Sequence, residues 1–241
     1  MIRHNVAEIW VYLAQTPLLW LTATLAVYCL ADSVYQRLGQ LPLINPVLVS
    51  ITLLVALLVV TRTPYQRYFD GAQFVHFLLG PATVALALPL WHYAGRLRQM
   101  LLPVAGALLA GSLTAILSTV ILGRLLGVST IALRSLAPRS VTTPIAMGIS
   151  EQIGGLPSLT AVLVILTGII GAVTARDLFD RLRISDQAAR GLAIGVASHG
   201  IGTARALQLH AEAGAFAGLA MGLNGVVTAI LTPLLARWLG L

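Results

Sequence analysis

Residues 134–147 read Arg134-Ser-Leu-Ala-Pro-Arg-Ser-Val-Thr-Thr-Pro-Ile-Ala-Met147. Two prolines, Arg139 and four hydroxyls interrupt what would otherwise be a smooth apolar helix. The rest of the chain is nearly all compatible with lipid. Of its 241 residues, 58% are hydrophobic and 10% charged, and the mean hydropathy is +0.90. A soluble domain carries roughly 25% charged residues, so the chain reads as an integral membrane protein. Inside a bilayer a broken helix frees backbone groups that find no water. Such a break survives only where protein or a wet cavity covers it, so residues 134–147 are the first candidate for function.

The apolar runs order the rest. Pro17 to Tyr35 reads as a first span, with Pro17 in the first turn where its missing donor costs nothing. Val47 to Thr61 is a second, shorter run. Tyr65 to Gly71 is a polar-aromatic patch suited to the membrane interface. Phe74 to Leu90 is apolar but broken by Gly80-Pro81 and Pro89, and Trp91 to Gln99 reads as an interfacial loop. Met100 to Leu122 and Ser158 to Ala175 are clean spans with small packing residues, Gly168 and Gly171 among them. Arg176 to Arg190 is a charged stretch. Gly191 to Leu209 is apolar but glycine-punctuated, and Ala213 to Trp238 is the last span.

A weak repeat runs through this pattern. Leu79-Gly-Pro-Ala-Thr-Val84 matches Leu136-Ala-Pro-Arg-Ser-Val141 at an offset of 57, and Arg134-Ser-Leu-Ala137 matches Arg190-Gly-Leu-Ala193 at an offset of 56. Each unit is an interrupted element followed by a clean span, at 77–122, 134–175 and 190–238 within one membrane domain, 1–241. If each interrupted element is re-entrant, successive units start from opposite faces and form inverted repeats. The expected fold is an all-α polytopic helical bundle with broken or re-entrant helices. Arginine counting puts Arg176, Arg181, Arg183 and Arg190 on the cytoplasmic side. The re-entrant reading adds Arg96 and Arg98 to that side and puts Arg124 opposite.

The net charge of +7 comes with arginines spread between apolar runs, which speaks for loop bias and against nucleic acid. The single cysteine, Cys29, excludes an intramolecular disulfide. No metal-ligand spacing, nucleophile elbow or phosphate loop is present, so the sequence implies no catalytic residues, metal or cofactor.

Three constellations remain. Arg139, Ser140, Thr142 and Thr143 precede Pro144, which suits the first turn of a half-helix. A helix start with a guanidinium beside it suits a carboxylate or phosphate. Thr83 stands at the matching start in the earlier unit. Ser198-His-Gly-Ile-Gly-Thr-Ala-Arg205 offers Ser198, Thr203 and Arg205, with His199 as a titratable group. Asn224 is a polar residue at membrane depth, either helix glue or a pore lining.

These stretches resemble the LrgB/CidB/YohK family of bacterial membrane proteins. The matches are Leu78–Leu90, Ser135–Met147, Gly154–Ala161, Thr167–Ala172 and Ala197–Ala206, and the resemblance covers roughly residues 15 to 237. It implies a multi-pass protein of the bacterial inner (cytoplasmic) membrane, likened both to holins or antiholins and to carriers of pyruvate, glycolate or glycerate. It also implies a small LrgA/CidA-like membrane partner and a homo-oligomer in the lipid bilayer. The residues themselves favour a carrier of a small-molecule carboxylate.

Overall fold

The computed structural model describes residues 17–39, 44–78, 81, 84–85 and 87–241. Among these there is no strand. The chain forms two units, 1–84 and 85–241.

In the first unit the helices are α1 (Pro17–Arg37), α2 (Pro46–Val60) and α3 (Tyr65–Phe77). Asn45 caps α2, its Oδ1 accepting from Val47 N at 2.8 Å, and Pro46 occupies the first turn. The polar-aromatic patch is the start of a helix. Tyr68 sets its ring edge-on to Trp20 at 6.0 Å, and Gly71 lies directly against Pro17 and Trp20. These contacts bind α3 to α1 and hold the patch helical. Of the break foreseen at Gly80-Pro81, Gly80 falls outside the described residues, and so does Thr83.

The second unit holds α4 (Ala87–His92), α5 (Ala94–Gln99), α6 (Leu101–Leu125), α7 (Thr130–Leu136), α8 (Thr143–Gln152), α9 (Pro157–Arg181), α10 (Gln187–Leu209) and α11 (Ala211–Leu239). Residues 91–99, expected as loop, are helical in two short pieces, and α9 continues through half of the charged stretch. Among the described residues four helices, α1, α6, α9 and α11, are long and apolar enough to cross a membrane.

Between these spans lie two helical hairpins. The stretch Gln187–Leu209 breaks at His199, with φ 40 and ψ −134. In a straight helix residues 194 and 202 stand about 12 Å apart. Here a Cβ added to Gly202 would meet Ile194 Cγ2 at 2.7 Å, so the chain has folded back. Ile194 and Ala206 accordingly share one buried cluster with Phe179, Ala213 and Ala217. The first arm runs alongside α11, where Gly191 and Gly195 sit against the backbones of Ala213 and Ala217.

The other hairpin is α7, a turn at 137–142, and α8. Its open end is closed by hydroxyls. Ser135 Oγ accepts from Leu156 N at 2.8 Å, and Thr160 Oγ1 lies 2.7 Å from Ser150 Oγ. Gly154, at φ +77, turns the chain out of α8.

The two hairpins enter from opposite ends. Arg96, just before α6, pairs with Asp186 and Glu212 at the mouth of the second hairpin. At the far end of α6, Arg124 donates to Leu239 O, and Leu133 of the first hairpin packs on Gly123. Arg96 therefore shares a face with Arg190, and Arg124 lies on the other, as the arginine pattern implies. α9 and α11 cross in opposite directions, each following its own hairpin.

Asn224, midway along α11 and fully buried, joins the two. Its Nδ2 donates to Ser140 O at 3.3 Å and to Val196 O at 3.1 Å. Its Oδ1 accepts from Ser112 Oγ at 2.6 Å and Thr228 Oγ1 at 3.2 Å. Both donors and both lone-pair sites are thus used. Replacing Asn224 with Leu orphans the Ser140 and Val196 carbonyls at once. The expected loss is about 2–4 kcal/mol, seen as a lower Tm in detergent unfolding; an unchanged Tm would refute the hub.

Candidate functional site

The turn 137–142 is the tip of the first hairpin, and Pro138 and Pro144 explain its form. Pro144 cannot extend a helix backwards, because it lacks the donor and clashes with the preceding turn. It sits instead at the second position of α8, with Thr142 as the N-cap residue. The Thr142 side chain makes no capping bond, so the first N–H groups of α8 are left for another acceptor.

Arg139 is half-buried on this tip. Its Nη1 reaches Ala115 O of α6 at the long distance of 3.5 Å. Among the described residues it enters no ion pair. Ser140 is 3% exposed; its carbonyl is held by Asn224, while its hydroxyl has no partner. Thr142 and Thr143 are half-buried beside it.

The second tip is built from Ser198 and His199, both buried. His199 holds a backbone region that side chains rarely adopt, a strain of order 1–3 kcal/mol. Two contacts hold it there. Its Nε2 lies 2.9 Å from Val164 O, and its carbonyl accepts from Thr203 Oγ1 at 2.8 Å. The small face of α9 admits the tip, for the His199 ring lies on Gly168 and Ser198 Oγ on Gly171. The break also frees carbonyls of the first arm, and Val196 O is the one that Asn224 takes up.

The structure therefore places Arg139, Ser140, Thr142 and Thr143 on one tip and Ser198, His199 and Thr203 on the other, with Asn224 between. Arg205 is buried on the return arm, about a turn and a half beyond the tip, where its Nη1 reaches Gln208 Oε1 at 3.4 Å. Of the hub partners, Ser112 reads in the sequence only as a small packing residue of its span, and nothing in the sequence marks Thr228, a hydroxyl deep in an apolar helix.

A cavity of about 590 Å³ runs between α6 and the first arm of α10. It starts at Met100 and Ala189 and reaches Ala115 and Val196. Those are the residues whose carbonyls meet Arg139 and Asn224. Half of its lining residues are alanine, and Thr114 is its polar side chain. Among the described residues no group of His, Cys, Asp and Glu could hold a metal ion.

Opposed re-entrant hairpins flanked by long apolar helices define a multi-pass membrane protein with buried polar side chains at its centre. The chain belongs to the LrgB-like family, whose profile matches residues 24–238. An uncharacterised Bacillus subtilis protein, YwbG, is 38% identical over 216 residues, covering 90% of this chain and 96% of its own. Another from that organism, YxaC, is 34% identical over 216 residues, covering 90% and 93%. The antiholin-like protein LrgB of Bacillus cereus is 28% identical over 225 residues, covering 93% and 98%. No solved structure matches.

The close fit of Ser198 on Gly171 gives a direct test. A Cβ at Gly171 would stand 1.7 Å from Ser198 Oγ, so Gly171→Val pushes the second tip off α9. The expected result is a Tm lowered by the equivalent of about 1–3 kcal/mol of overpacking. An equal Tm would show that the tip is not seated there.

Proposed function

We propose that the chain is a secondary transporter of small monocarboxylates, of the pyruvate, glycolate and glycerate class, working with a small LrgA/CidA-like membrane partner. Arg139 and the uncapped start of α8 at Thr142–Thr143 hold the carboxylate, with Ser140 as a further donor. Ser198 and Thr203 complete the site, Arg205 adds positive charge on the return arm, and His199 carries the coupling proton.

The observation that carries this reading is the state of Arg139. A half-buried guanidinium that enters no ion pair among the described residues stands next to a buried hydroxyl without a partner. Burying a charge is costly unless it is paired, and a carboxylate ligand supplies the pairing. The alanine-walled cavity supports the reading by giving a short acid a way in from the arginine-rich face. The bias of arginines toward that face supports its assignment as cytoplasmic.

The antiholin-like name of the Bacillus cereus relative favours a second reading, in which the chain modulates murein hydrolase export and cell lysis. That reading predicts dye leakage from liposomes and no saturable substrate.

Uptake of labelled pyruvate, glycolate or glycerate into vesicles holding the chain and its small partner separates the two. Arg139→Ala is expected to lower uptake roughly 10- to 100-fold, the scale of a lost charge-assisted bond, and Arg139→Lys to restore part of it. Uptake indifferent to Arg139→Ala would discard the anion site.

A further inference from the structure

A second cavity, of about 240 Å³ and with a polar rim, opens between the two arms of α10 and the end of α9. It lies at the arginine-rich face, far from the hairpin tips. Its floor is apolar, with Phe179 and Ala206 both buried. Its rim carries Arg176, Arg190, Gln187 and His210.

The charge on this rim does not cancel. Asp180 serves both arginines, at 2.5 Å from Arg190 Nη2 and 4.0 Å from Arg176 Nε. Two guanidiniums against one carboxylate leave a net positive site. The nearby acids Asp186 and Glu212 are turned to Arg96 instead, and Asp186 also caps α10 through Ala189 N. Asp177 is exposed on α9.

The donors are set in place. Arg190 is fixed over the Phe179 ring, 5.7 Å from its centre, and its Nε donates to Ile184 O at 2.5 Å. His210 Nδ1 accepts from Glu212 N at 3.3 Å, which leaves Nε2 as the ring nitrogen to act as a donor. Arg176 is mostly exposed and makes a long contact with Asp180.

We propose that this pocket binds a phosphate-bearing ligand with a small carbon body, either the headgroup of an anionic glycerophospholipid or a free organic phosphate. Donors on three separate elements suit a phosphate, whose oxygens point several ways, better than the two oxygens of a carboxylate. The apolar floor takes the carbon body. A basic pocket between helices at the arginine-rich face is also where a lipid headgroup would lie.

The test is thermal unfolding of the purified full chain in neutral detergent. It is titrated with glycerol 3-phosphate, with phosphatidylglycerol, and with phosphatidylcholine as the zwitterionic control. A saturable rise in Tm is expected with at least one of the first two, and none with the control. A rise with phosphatidylglycerol alone assigns the site to lipid; a rise with glycerol 3-phosphate assigns it to free phosphates. Arg176→Gln should lose the rise and His210→Ala should weaken it, whereas Arg98→Gln and Arg139→Gln should keep it. No rise with either phosphate, or a rise surviving Arg176→Gln, overturns the proposal.

Discussion

The structure of residues 85–241 rests on one constraint: a helix broken inside a bilayer must give its freed backbone groups new partners. Each such group left bare in hydrocarbon costs several kcal/mol, more than the roughly 1 kcal/mol that a typical hydrogen bond returns. Breaks are therefore kept only where a polar side chain waits for them. Asn224 is that side chain. Its amide takes one carbonyl from each hairpin, Ser140 O and Val196 O, while its oxygen is engaged by Ser112 and Thr228. Two elements that enter from opposite faces are in this way fastened to one residue of a continuous helix.

Small residues make the arrangement geometrically possible. Gly191 and Gly195 let the second hairpin lie along α11, and Gly168 and Gly171 let its tip reach α9. The arginine-rich face is then held by the Arg96 clasp on Asp186 and Glu212. The opposite face relies on hydroxyls instead, with Ser135, Ser150 and Thr160 closing the first hairpin. Between these two ends stands Arg139, which enters no ion pair among the described residues.

Much of this was legible in the sequence. The prolines at 138 and 144 and the glycines around His199 announced the two breaks, and the interrupted-then-clean pattern implied hairpins of opposite direction. Arginine placement sorted Arg96 from Arg124. What stayed hidden was local or relational. Residues 65–71 look polar, yet Tyr68 and Gly71 bury against α1 and hold them helical. Residues 91–99 and the first half of 176–190 are helical too, since charge by itself does not end a helix. Asn224 stood out as polar at depth, but nothing in its own segment names Ser140 or Val196 as its partners. The strain at His199 is equally invisible, because a histidine at positive φ is set by tertiary contact.

The account is tested most directly by the sidedness of the hairpin ends. Single cysteines are placed at Ser129, Gln152, Ser185 and Ala211 in a Cys29→Ser background and labelled with a membrane-impermeant maleimide applied to one face at a time. Opposed re-entrant hairpins predict that positions 129 and 152 label from one face and positions 185 and 211 from the other. Labelling of 129 and 152 from different faces would mean that residues 130–152 cross the membrane, and the hub joining two opposed tips could not exist.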